Sequence, residues 1–130
     1  RTMAALHLEC DSDNHCIWWK MQEDLLRHLD RHIRPQDRPF LLGFMNILPY
    51  HFGLEPPRGV PAWLDVGRNL SLEAHPEPRA MLADATLVVV PHMKEEIGYF
   101  PELMAIYGET IRSSFTVVEQ NPLWSIWRRD

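Results

Sequence analysis

The chain of 130 residues lacks most of the features that mark common protein classes. It has only two cysteines, Cys10 and Cys16. That is too few for a disulfide scaffold, and no second pair supplies the usual spacing of a structural zinc site. The two could close a small disulfide loop or stay as thiols. Free thiols are the expectation, because a strand end and a helix start need not bring two Cβ atoms within bonding range. No apolar run approaches the roughly 18–20 residues that span a bilayer. The longest, Phe40 to Leu48, is broken by Gly43 and Asn46, and no signal-peptide pattern is visible. Basic runs are missing too. Net charge is -5 and the single adjacent basic pair is Arg128-Arg129, so nucleic acid is excluded as a partner. The glycines are scattered at 43, 53, 59, 67, 98 and 108, so no glycine-rich phosphate loop exists. Ser113-Ser114 have no nucleophile-elbow glycines beside them.

What is present is an ordinary globular composition. Hydrophobic residues make up 45% and charged residues 24%, which fits a single domain over residues 1–130 with a core of its own. The chain starts with Arg1 rather than Met, and the expectation is an excised piece of something longer. Met3 to Cys10 reads as a short strand leaving through Asp11-Ser12-Asp13-Asn14. Ile17 to Arg34 predicts a helix, with Trp18, Met21, Leu25, Leu29 and Ile33 on one face and Pro35 as its stop. Arg38 to Asn46 and Ala85 to Val90 are apolar runs without alternation, the pattern of strands buried on both faces. Pro76 and Pro78 open a short helix, Glu77 to Ala83. Pro101 starts another, running to Arg112. Phe115 to Glu119 and Leu123 to Arg129 predict a hairpin turned by Gln120-Asn121-Pro122. Strands alternating with helices lead to an α/β fold, three-layer and Rossmann-like, with a mostly parallel sheet and a C-terminal antiparallel hairpin.

Between the two apolar runs lies a long connection, Ile47 to Ser71, rich in proline, glycine and aromatics. Loops of this length are usually functional. Tyr50, Phe52 and Trp63 are expected to pack back onto the domain and order it.

In open parallel sheets, ligands bind beyond the carboxyl ends of the strands. Three such ends present candidates: Asp11, Asp13 and His15; Asn46, Tyr50 and His51; and His92, Lys94 and Glu95. Together they could bind a polar ligand, hold a divalent metal through Asp11, Asp13 and His15, or do acid–base work. Asp11-Ser12-Asp13 resembles the two-carboxylate motif that holds a metal–nucleotide-sugar in some glycosyltransferases, and the opening of haloacid-dehalogenase-type phosphatases. A helix cap or turn is the plainer reading of these residues. His28 and His32 have the spacing of helical zinc ligands, yet without a following Glu they read as an exposed structural pair. Arg58 and Arg68 could clamp an anion such as a sugar acid or a lipid phosphate. Equally, they could pair with Glu55 and Asp65 and hold the loop, which is the favoured reading.

The ordered set Asn46-x-x-Pro49-Tyr50, Gly53-Leu54-x-Pro56-Pro57-Arg58-Gly59, Trp63, Gly67-Arg68, Ala83-Asp84-Ala85, Ile106-Tyr107-Gly108 and Trp124-Ser125-x-Trp127-Arg128-Arg129 resembles a segment of certain bacterial polytopic membrane proteins. In that uncharacterised group, a multi-span part resembling lipid-linked-sugar glycosyltransferases precedes a soluble C-terminal domain of about this size. The resemblance covers roughly residues 38 to 129 and departs from the expected pattern at Ile47-Leu48 and at His92. It implies a domain on the periplasmic side of the bacterial inner membrane. Its partners would be the membrane-embedded part of the same polypeptide and an anionic sugar or lipid phosphate. The expected role is an accessory or ligand-binding domain with no cofactor. The alternatives are a small metal-assisted hydrolase using Asp11, Asp13 and His92, or a structural interaction domain presenting the Tyr50–Trp63 loop.

Overall fold

The structure is a computed structural model. It describes residues 14–43, 45–92 and 101–130 and, in the first helix, the side chains from residue 19 onward other than that of residue 21. The elements in chain order are α1 (Asn14–Leu29), β1 (Pro39–Leu41), α2 (Leu48–Phe52), α3 (Pro78–Leu82), β2 (Leu87–Pro91), α4 (Pro101–Ser114), β3 (Phe115–Gln120) and β4 (Trp124–Arg129). The four strands form one sheet in the order β1-β2-β4-β3.

The apolar runs expected to pair do so directly. β1 and β2 are adjacent and parallel, with Phe40 opposite Val88. The Rossmann-like, mostly parallel expectation is overturned, because β2 pairs with β4 and β4 with β3 antiparallel. The result is a small mixed sheet with short helices. The C-terminal hairpin extends the β2 edge antiparallel, as expected, with β4 inside and β3 outermost. β4 inserts beside β2, and the burial pattern gives the reason: Trp124, Ser125 and Ile126 are all buried, whereas most of β3 is exposed. Trp124 and Ile126 enter the α1 cluster while Trp127 packs against the opposite one; a strand with apolar groups on both faces gains most from an interior position, so β3 is left at the rim. The turn between them is held by Asn121, whose Oδ1 accepts the amides of Leu123 at 2.8 Å and Trp124 at 3.1 Å. The predicted strand Met3–Cys10 and the question of the Cys10–Cys16 pairing lie outside the described residues.

Two apolar clusters flank the sheet. On one side Leu25 and Leu29 of α1 pack with Leu41, Val89, Trp124 and Ile126. On the other, Leu103, Tyr107 and Ile111 of α4 join Met81 and Leu82 of α3 over Phe40, Val88 and Phe115. Burial pushes the Tyr107 hydroxyl pKa up to about 12, and that hydroxyl donates to the Pro76 carbonyl at 3.1 Å. α1 stops at Leu29, five residues before the expected end, and relaxes through turns to Ile33.

Polar residues tie the chain between α1 and β1 to the sheet. Asp37 is 3% exposed. Its carboxylate accepts two bonds from the Arg128 guanidinium, at 2.9 and 3.1 Å. It also accepts the Thr86 hydroxyl and the Arg34 amide, each at 2.7 Å. Arg128 also donates to the His32 carbonyl.

Candidate functional site

β1 is an edge strand, yet its backbone is not left open. The chain turns at Gly43, whose amide bonds to the Leu41 carbonyl at 2.9 Å, and returns along the edge. There Asn46 Oδ1 accepts the Leu41 amide and Asn46 Nδ2 donates to the Pro39 carbonyl, each at 3.0 Å. One side-chain amide thus substitutes for a neighbouring strand and blocks the edge against pairing. Asn46 is a structural edge cap, and this accounts for the shorter β1: residues beyond Leu42 fold back instead of extending. Asn46→Ala leaves a buried donor and acceptor unpaired, so a loss of about 1–3 kcal/mol is expected by chemical denaturation. Asn46→Asp keeps the acceptor and should lie between.

The long connection is ordered, but its anchors are not the aromatics expected. It opens with helix α2, in which Pro49 occupies the first turn and Gly53 closes the C-terminus. Leu48, Leu64 and Leu70 are 0%, 1% and 5% exposed and hold it to the two clusters. Phe52 packs partly against the α1 cluster, as expected. Tyr50 is 94% exposed and Trp63 50%, so neither is a core anchor. Gly59 has φ 91°, and a Cβ there would lie 3.3 Å from the Ala80 carbonyl oxygen. The Pro-Pro-Arg-Gly turn therefore seats directly on α3, and only glycine fits it well.

These supports leave a groove of about 490 Å³ beside β1. Its walls include Tyr50, Trp63, Leu54, Pro56, Pro57 and Pro61, a mostly apolar lining of exposed aromatics and rigid rings. Main-chain pairing between Met45 and Trp63 closes one wall. Asn46 and Tyr50 line this groove; the other described candidates go elsewhere. His51 stands edge-on to Phe52 at 4.7 Å and faces a separate cleft with Glu23, Arg27 and Asp30. Arg58 donates its amide to Asp84 Oδ2 at 2.7 Å, and its Nε lies 3.6 Å from the same oxygen. Asp84 precedes β2 and also pairs with Arg38 at 3.1 Å, so Arg58 sits at the amino end of the parallel strands. Arg68 pairs instead with Asp65, Nε to Oδ2 at 3.6 Å. The two arginines are held by different carboxylates and form no common clamp. Arg68 has the partner expected for it; Arg58 has Asp84 in place of Glu55.

His92 lies beyond β2 and bonds through Nε2 to Ser125 Oγ at 3.0 Å. Ser125 Oγ accepts the Trp127 indole N–H at 2.8 Å, so its own hydrogen is free for the imidazole. Burial lowers the His92 pKa, which favours the neutral, accepting ring. Ser125 is 1% exposed, so this pair braces the sheet and offers no accessible nucleophile. Lys94, Asp11 and Asp13 lie outside the described residues. His15 falls within α1, with its side chain outside them.

His28 and His32 meet Glu119 of β3. Glu119 Oε1 lies 2.7 Å from His32 Nε2, and its carboxylate also touches His28 Nδ1. Arg31 donates to both carboxylate oxygens at 3.0 and 3.1 Å. The guanidinium takes the place a cation would need, and among the described residues no group of His, Cys, Asp and Glu could hold a metal. The pair is a clasp between the end of α1 and the sheet rim. Burial works to raise the Glu119 pKa, but bonds from His32 and the nearby His28 and Arg31 charges outweigh it and hold it below the ordinary 4.5. The stabilisation is therefore complete above pH 4.5 and lost as pH falls through the lower, folded value. Glu119→Gln should flatten the loss of unfolding free energy across that acid window, read by denaturant titrations at successive pH values.

No protein-family model matches this chain, and no curated protein or solved structure is detectably similar to it.

Proposed function

We propose that the chain is an accessory, ligand-binding domain of a glycosyltransferase-like membrane protein, standing on the periplasmic side of the bacterial inner membrane. Its working surface is the groove beside β1. One observation carries the reading: an ordered loop, fastened by buried leucines, keeps Tyr50 94% exposed at the rim of a groove walled by proline and apolar side chains. Exposing a large aromatic on a stiff scaffold gains nothing for folding, and such patches mark contact surfaces. Among the described candidates, Asn46 and His92 are engaged in holding the fold. The ordered motif set from Asn46 to Arg129 supports the membrane setting, with the membrane-embedded part of the same polypeptide as a partner. The reading frame that encodes this domain tests the proposal. It should also encode several hydrophobic spans; a frame with none contradicts the membrane role.

A further inference from the structure

We propose that the hollow formed by Trp63, Asp65, Arg68 and Asn69 binds an acidic saccharide, its ring lying on the Trp63 indole and its carboxylate held by the Arg68 guanidinium. This rests on the ligand-binding reading above and names the ligand class. The hollow has a volume of about 380 Å³ and shares Trp63 with the larger groove. Its floor is fixed before any ligand arrives. Asn69 Oδ1 accepts the Asp65 amide at 2.9 Å, and Asn69 Nδ2 donates to the Trp63 carbonyl at 2.8 Å. The Arg68 and Asn69 amides close onto the Asp65 carbonyl at 2.9 and 3.0 Å. Gly67, at φ 90°, permits the tight turn back to Leu70. Trp63 is thus held by its main chain on both sides, and the residue as a whole is 50% exposed.

The chemistry at the rim is specific. An indole face takes the apolar C–H face of a pyranose ring. Arg68 is 85% exposed and meets Asp65 through Nε. Its two Nη groups have no partner among the described residues, so the fork is open to a carboxylate in bidentate geometry. Asp65 and Asn69 complete the polar part of the lining. A preformed turn keeps the ordering cost of binding low.

Calorimetric titration with tetragalacturonate tests the assignment. Binding is expected, weakened by salt. Trp63→Ala and Arg68→Gln should each reduce affinity about ten-fold or more. Arg68→Lys, which keeps the charge but loses the fork, should recover part of it. The methyl-esterified tetramer should bind about ten-fold more weakly than the acid. No binding, equal affinity for acid and ester, or unchanged affinity in both variants overturns the proposal. So does Arg68-dependent binding of anionic phospholipid vesicles without any response to tetragalacturonate, which would make a lipid phosphate the occupant. Thermal unfolding of each variant separates lost binding from lost folding, and Arg68→Gln changes only an exposed side chain. Absence of tetragalacturonate binding leaves the membrane reading to its own test, and absence of membrane spans leaves this one to calorimetry.

Discussion

Asp37→Ala is expected to destabilise the domain by about 3–5 kcal/mol, because it strips the partner from a charge already withdrawn from water. Arg128 would keep its bond to the His32 carbonyl but lose both bonds to the carboxylate. Thr86 and the Arg34 amide would lose an acceptor as well. The lesion spans three segments, since Asp37 joins the turn after α1 to the start of β2 and to β4. The denaturant midpoint should fall with little change in slope. Replacing Asp37 and Arg128 together with apolar residues should cost less than either single change, because no unpaired charge then remains. A loss below about 1 kcal/mol for Asp37→Ala would show that the pair is solvated rather than buried. Acid has the same target. Burial acts to raise the Asp37 pKa, but bonds from Arg128, Thr86 and Arg34 hold it below the ordinary 3.8. Its stabilisation is present above pH 3.8 and disappears as pH drops through the folded value.

Leu64→Ala is expected to cost about 2–5 kcal/mol, the range for removing a fully buried leucine from a packed core. Leu64 is 1% exposed and belongs to the cluster over α3 and α4. It sits between Trp63 and Asp65, so its loss frees the turn that carries the proposed site. Amide hydrogen exchange across residues 45–70 should accelerate more than exchange in β2 and β4. Tyr50→Ala is the internal contrast: with Tyr50 94% exposed, stability should barely move. Equal losses for the two variants would mean that the loop is anchored by its aromatics after all.

The contrast between Leu64 and Tyr50 shows which part of this fold can be read from residue types. Apolar runs without alternation marked β1 and β2 as buried, and their parallel pairing followed. A three-and-four periodicity marked α1, and Pro101 marked the start of α4. Each of these signals is local. The sheet order was not local: the position of β4 beside β2 depends on burying Trp124 and Ile126 in the α1 cluster on one face while Trp127 packs against the α4 cluster on the other. The role of Asn46 was hidden for a related reason. An amide after an apolar run looks like a ligand at a strand end, and only the folded path reveals that it bonds Pro39 and Leu41. Buried Asp37 gave no signal, because a charged residue beside Pro35 and Arg38 reads as a surface turn. In the long loop the aromatics drew attention because of their size, while three leucines supply the anchoring. Arg68 was visible as a ligand candidate, whereas Trp63 read as an anchor of the loop. Their shared hollow depends on the Asp65–Asn69 turn, which motif spacing does not express.

The most direct measurement is a map of backbone amide shifts in nuclear magnetic resonance spectra as tetragalacturonate is added. Shifts confined to residues 45–69, largest at Trp63, Asp65 and Arg68, are predicted. Shifts centred on His92 and the carboxyl ends of β1 and β2, with residues 60–69 unmoved, would contradict the account and return the site to the strand ends.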